Sequence, residues 1–443
     1  MLEAFYYITF GIVITVVVMT ITKLKNVITF AVLFPIFYIM YSFIAPLGVI
    51  GGADSALYTP LHEEVFHLRN DDSLYITHAV LLLFLIFLYI GFFWRFRVYK
   101  SKMTINDIAK RDIISVLLVV FMVSISSTYI LYNFQFIYTS MLSGSSVYKA
   151  YSFHNTPSIV KATYSLWGSS IVTFSVIIFS DMKSRFMLNF LIINILLYSV
   201  ISLIIGDRGQ LIVVLLGLLV SYSILVYRLK LFKLMLSALA FIGILSFIRI
   251  FRGINILEIV KNPEIITSVF SLQGIFNTLF ASGENIAAYL SIYFFTNNQF
   301  DYAYGESFVY LLLSFIPRFI LSDRPSDFSY HEIYVNVANL PEGRGYTLHQ
   351  VSDWYLNFGL IGVVVGGLFL GWVMRKIEQG ATTDRKRVNL VNIAIFALLC
   401  GWLPQLMRTG VEGYKAFIYE YTLVPFIFLV FIPKILKIFA KSR

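Results

Sequence analysis

The chain has 443 residues, of which 58% are apolar and only 13% charged. Soluble domains carry roughly 25% charged residues, so the solvated surface of an ordinary globular fold is missing. The net charge of +10 would suit nucleic acid if the cations formed a patch, but they are scattered through the connections between apolar runs, and the single cysteine excludes an intramolecular disulfide. A helix of about 20 apolar residues crosses a bilayer core of about 30 Å, and helices satisfy their own backbone groups in lipid. Taken in chain order, the runs that meet this description are 4–22, 27–50, 76–94, 113–133, 159–180, 186–205, 210–227, 232–250, 354–374, 388–407 and 416–436. The first run follows no basic stretch and precedes no small-residue cleavage site, so it is expected to stay as a span. The fold class is therefore all-α, a polytopic transmembrane bundle of about eleven spans.

Orientation follows from Lys and Arg in the connections. Lys23 and Lys25, the cations from Arg95 to Arg111, Lys183 and Arg185, Arg228 to Lys233, Arg375 to Arg387 and the tail from Lys434 alternate onto one side and make up most of the 34 basic residues. That side is expected to be cytoplasmic, with the N-terminus outside and the C-terminus inside. The organisation expected is spans one to eight over 1–250, a large outer loop over 251–353, and the last three spans over 354–443. Two stretches of the loop, 265–281 and 307–321, are apolar but short or interrupted, which suits amphipathic or re-entrant helices on the outer face.

The outer cations favour arginine: Arg69, Arg208, Arg249, Arg252, Arg318, Arg324, Arg344 and Arg408. A guanidinium grips phosphate oxygens with two parallel hydrogen bonds, which lysine does not reproduce. Arginines above apolar spans thus point to a phosphate or pyrophosphate carried on a lipid; capping of helix ends and pairing with carboxylates is the competing structural reading. Arg208 stands in the turn Gly206-Asp207-Arg208-Gly209, Arg318 and Arg324 adjoin Pro317 and Pro325, Arg344 lies between Gly343 and Gly345, and Arg408 precedes Thr409-Gly410. His349 and Asp353 are four apart and share a face if the ninth span starts early. A histidine oriented by a carboxylate suits general-base work near neutral pH, and it is also a common structural pair. Glu284, between two apolar runs, is costly unless it pairs or faces water. The chain contains no Walker A loop, no HExxH, no cysteine cluster and no GxSxG, so nucleotide-driven, zinc and serine-hydrolase chemistry lack support.

These motifs, in this order, resemble the Wzy-type O-antigen polymerases and the related polymerases of enterobacterial common antigen. The resemblance runs from about residue 200 to 425. It rests on Gly206-Asp207-Arg208, Glu284-Asn285, Tyr304-Gly305-Glu306-Ser307, Ile316-Pro317-Arg318, Arg324-Pro325, His349 through Trp354, Asn357-Phe358-Gly359 and the turn at Arg408. It implies a glycosyltransferase of the bacterial inner membrane with its site facing the periplasm. Such an enzyme transfers a growing glycan from undecaprenyl pyrophosphate to a sugar hydroxyl of the next lipid-linked repeat unit. No cofactor and no metal are expected; the partners implied are undecaprenyl-pyrophosphate-linked glycans, membrane lipid and a chain-length regulator protein. On this resemblance His349, Asp353 and Glu284 are the catalytic candidates, and Arg208, Arg318, Arg324, Arg344 and Arg408 the pyrophosphate ligands. An O-antigen ligase uses the same donor and is the nearest rival. A lipid-linked oligosaccharide flippase is the rival of another class, poorly suited to a large outer loop and to ionisable residues gathered at span ends.

Overall fold

The computed structural model describes residues 9–15, 29–44, 46, 74–94, 108–143, 157–181, 184–205, 207–229, 283–316, 347–382 and 389–441, with isolated positions at 261, 262, 264, 267, 271, 320 and 321. In chain order the helices are α1 (Phe30–Ser42), α2 (Leu74–Phe93), α3 (Ile108–Tyr132), α4 (Phe134–Ser143), α5 (Ser158–Ser180), α6 (Arg185–Ile205) and α7 (Arg208–Leu225). There follow α8 (Gly283–Asn297), α9 (Glu306–Ser314), α10 (Gln350–Thr382), α11 (Leu390–Thr409) and α12 (Glu412–Ala416). Two π-helical stretches, Phe417–Thr422 and Ile427–Phe431, then lead into α13 (Ile432–Lys441). Among the described residues seven helices are long and apolar enough to cross a membrane: Leu74–Phe93, Asp112–Tyr132, Ile159–Ser180, Arg185–Ile205, Gln350–Thr382, Leu390–Thr409 and Gly413–Phe439. They coincide with seven of the expected spans. The expected spans at 27–50 and 210–227 fall on the shorter apolar helices α1 and α7. The span at 232–250, most of 4–22 and most of the 265–281 stretch lie outside the described residues, while the 307–321 stretch begins as α9.

The chain divides into two compact units that interleave in sequence. The first comprises Met1–Arg97, Phe276–Lys376 and Leu403–Ala416; the second comprises Val98–Ile275, Ile377–Trp402 and Phe417–Arg443. In the first unit α8 packs on α1 and α2. The approach of α2 to α10 is set by glycine: a Cβ on Gly91 would strike the Leu368 carbonyl, one on Gly371 the Leu88 carbonyl, and one on Gly367 would sit 2.7 Å from the Phe84 oxygen. Gly367 and Gly371 form a GxxxG pair, which lets two backbones meet where lipid offers no hydrophobic drive for association. The opposite face of α2 leaves Ile86, Ile90 and Phe93 exposed at helical spacing, a surface suited to acyl chains.

The second unit is built round α5, which packs on α3, α6, α7 and the Phe417–Thr422 stretch. Its hydropathy is the lowest of the seven candidate spans because its buried face carries Ser165, Ser169, Ser170, Thr173 and Ser175. Those hydroxyls do not orphan the helix: Ser170 and Thr173 donate back to the carbonyls of Leu166 and Ser169, and Ser169 also reaches the Tyr421 carbonyl at 2.7 Å. Small side chains in the middle helix thus permit close neighbours on all sides. The core adds stacked aromatics, with the Tyr164 and Tyr198 rings 4.7 Å apart and Trp167 edge-on to Tyr198 at 5.1 Å.

Candidate functional site

The site begins where α11 ends. Gly410 takes φ +59, the left-handed conformation that closes helices and that glycine adopts without strain. Immediately before it, Thr409 bridges in parallel to Leu348, whose N–H donates to the Arg408 carbonyl at 3.1 Å. The stretch entering α10 is thereby stitched to the turn that leaves α11, although the two are far apart in sequence. Asp353, in the first turn of α10, completes the seam: its carboxylate accepts from the Val411 N–H, at the start of α12. Amides at a helix start have no intrahelical partner and carry partial positive charge, so a buried carboxylate is stabilised there. Beneath the seam Leu348, Leu356, Val411 and Phe295 form an apolar floor.

His349 is wholly buried in the same seam. Its backbone N–H donates to the Ser291 hydroxyl at 2.8 Å, and that hydroxyl pairs with Ser352 at 2.9 Å. The ring Nδ1 accepts from the Val351 N–H at 3.2 Å, so in the neutral ring the proton lies on Nε2, which donates to Ser42 Oγ at 3.0 Å. Burial pushes the imidazole down to about 3, so it stays neutral under physiological conditions. Tyr38 meets the ring edge-on at 5.5 Å. Both ring nitrogens are therefore engaged by Ser42 and the Val351 amide rather than by Asp353.

Arg408 closes the last turn of α11 half-buried, its Nε donating to Gln405 Oε1 at 2.7 Å. Gln350, at the start of α10, is fully satisfied when its amide donates to the Leu406 carbonyl at 2.8 Å and accepts from Tyr414 at 2.7 Å and the Trp354 indole at 3.3 Å. A second knot lies one turn further along α10. Asn357 is buried, donates to Ser307 Oγ and to the Asp353 carbonyl, both at 2.7 Å, and accepts from the Gly305 N–H at 2.9 Å. The neighbouring Ala303 N–H donates to the Leu356 carbonyl at 3.0 Å. At this point α10 breaks, with Phe358 at φ −142 and Gly359 at φ 59, ψ −141. Gly305, at φ +90, sits under the Phe358 ring, and Gly359 lies under the Tyr302 ring.

The candidates from the sequence are distributed unevenly. His349, Asp353 and Arg408 meet in one seam of the first unit. Glu284 is the second residue of α8 in that unit, and its side chain is outside the described residues. Arg208 opens α7 in the second unit, behind Asp207, which caps the helix by accepting from the Gln210 N–H at 3.2 Å; the Arg208 side chain is likewise outside the described residues. Arg318, Arg324 and Arg344 lie wholly outside them. Ser42, Ser291, Gln350 and Asn357 were not singled out by charge or spacing as site residues. The signal that marks them is a hydrogen-bonding side chain inside or beside an apolar run, where it requires a partner.

Comparison with known proteins gives one result on the family. The family model described as O-antigen polysaccharide polymerase Wzy matches residues 1–442. No curated protein and no solved structure matches the chain.

Proposed function

The chain belongs to the O-antigen polysaccharide polymerase Wzy family, and from that premise we propose that it extends a glycan carried on undecaprenyl pyrophosphate at the periplasmic face of the bacterial inner membrane. In this reading a sugar hydroxyl of the incoming lipid-linked repeat unit attacks the anomeric carbon at the reducing end of the growing chain. The bond from that carbon to the pyrophosphate oxygen breaks, undecaprenyl pyrophosphate leaves, and the hydroxyl proton passes to a base. The single observation that carries the proposal is the family match along 1–442; the chain is by that match a polymerase and a multi-pass membrane protein.

Roles for the residues follow from their chemistry. Charge develops on the departing pyrophosphate, and fixed cations stabilise it without reorganising. We assign that work to Arg408, Arg318, Arg324 and Arg344, which belong to the same unit, with no metal ion. The seam supports Arg408 in this role because Leu348 and Asp353 hold the turn that follows it. A neutral, doubly engaged imidazole is a poor proton acceptor, so His349 and Asp353 are assigned to positioning, and Glu284 to the proton.

The test is the lipopolysaccharide ladder of the producing strain. Deletion should leave a single repeat on the core; no repeat at all would favour the ligase or flippase. Restoring the chain as Arg318→Lys or Arg408→Lys should cut polymer at least about tenfold at normal membrane levels, because a charged hydrogen bond made in the transition state is worth about 1.5–3 kcal/mol. Normal ladders from both variants would overturn the pyrophosphate clamp.

A further inference from the structure

The stretch between α8 and α9 does something that the polymerase chemistry does not require. Tyr304 is a non-glycine residue at positive φ, +44, and it is 78% exposed. A bulky side chain rarely takes that conformation, and the strain persists only where neighbours over-determine it. Here they do: Asn357 grips the next residue's amide and the Ser307 hydroxyl, the Ala303 amide is tied to α10, and the Gly305 backbone is fitted under Phe358. The result is a ring held out from the surface. Tyr302, also exposed, stands beside it with ring centroids 6.2 Å apart; Phe300 backs Tyr302 at 5.3 Å. Two exposed carboxylates bracket the tyrosines in sequence, Asp301 just before Tyr302 and Glu306, hydrogen-bonded to Tyr310, two residues after Tyr304.

Tyrosines at a membrane interface often serve as belt anchors among lipid headgroups. The two exposed carboxylates next to these tyrosines in sequence argue against that use, since they add negative charge where lipid phosphates would sit. The same combination suits a pyranose: its C–H face lies on an aromatic ring, while its hydroxyls donate to carboxylate oxygens. We propose that Tyr302 and Tyr304, with Asp301 and Glu306, form a carbohydrate-binding platform that seats one sugar ring of the glycan. The identity of that glycan rests on the polymerase reading above; the platform's chemistry does not.

The experiment uses the full-length protein in lipid nanodiscs. The probe is the oligosaccharide of one repeat unit, released from the producing strain's own O-antigen and free of its lipid, observed by saturation-transfer NMR. Wild type should transfer signal to the sugar. Tyr304→Gly removes the ring and also relieves the positive φ, so it should fold with an equal or higher Tm. Its affinity should nevertheless fall about threefold to tenfold, the range for one aromatic contact. The pair Asp301→Asn with Glu306→Gln should weaken binding further. No transfer to wild type, or unchanged affinity in Tyr304→Gly, overturns the platform. So does a Tyr304→Gly protein that binds normally but melts earlier in nanodiscs and not in detergent, which would mark the ring as a lipid anchor. If deletion of the chain leaves the ladder intact while the oligosaccharide still binds through Tyr304, the polymerase reading fails and the platform stands.

Discussion

Gly410 does two things that no other residue does at that place. Its φ of +59 ends α11, and the absence of a Cβ leaves room for the Asp353 carboxylate, which otherwise would be struck directly. Gly410→Ala therefore meets both backbone strain of about 1–3 kcal/mol and the displacement of a buried carboxylate from the Val411 amide. We expect a clear fall in the thermal unfolding temperature of the detergent-purified protein, with polymer lost in step. Gly11→Ala is the control, because among the described residues nothing lies within 4 Å of its added methyl, and it should be silent or slightly stabilising. An unchanged Tm in Gly410→Ala would mean that the seam does not hold the turn. At this scale the sequence was only partly legible. A spacing of four suggests that His349 and Asp353 share one side of a helix, but of their partners Ser42, Ser291 and Val411 come from other elements. No spacing rule within one helix reports those, and burial, which decides the histidine's protonation, is set by packing alone.

Two features of α10 belong to the element. Its break at Phe358-Gly359 falls at the first of the six glycines of α10, and glycine by itself says neither which of the six breaks the helix nor which way the chain turns. What fixes it is tertiary: Asn357 reaches across to Gly305 and Ser307, and Tyr302 lies over Gly359. Tyr304-Gly305-Glu306-Ser307 and Asn357-Phe358-Gly359 are separate motifs in the sequence; that they form one knot is a property of the fold. The second feature is the contact of Gly371 and Gly367 with α2. Gly371→Leu should force the helices apart, since its first carbon already overlaps the Leu88 carbonyl. Overpacking costs about 1–3 kcal/mol in soluble cores, and here the contact is backbone on backbone, with no flexible side chain to yield. We expect membrane levels of Gly371→Leu to drop and its Tm to fall, whereas Val365→Leu, on a face that is 51% exposed, should behave as wild type. Equal Tm values for the two would show that the close approach carries no stability.

The molecule as a whole was legible in so far as lipid dictates it. Length and apolarity locate spans because the bilayer sets both, and seven expected spans return as helices able to cross it. Which spans associate was not legible: helix packing in lipid depends on small residues and hydrogen bonds rather than on hydropathy, so the interleaving of the two units leaves no trace in a hydropathy profile. The sidedness of the bundle rests on charge, and the last prediction tests it. From the excess of Lys and Arg in alternate connections, Asp107, Thr382 and Lys441 are expected in the cytoplasm and Gly144, Gly209 and Asp301 outside. The exposed lysines of α13, Lys434 and Lys437, belong to the same inner set. A reporter active only outside the cytoplasm should be active when fused at Gly144, Gly209 or Asp301 and silent at Asp107, Thr382 or Lys441. Asp301 is the most informative position, because it adjoins Tyr302 and Tyr304 and lies in the same unit as His349, Asp353 and Arg408. Activity at Asp107 with silence at Asp301 would put the tyrosines inside the cell, away from a glycan assembled on the periplasmic face, and both the platform and the periplasmic site would then have to be abandoned.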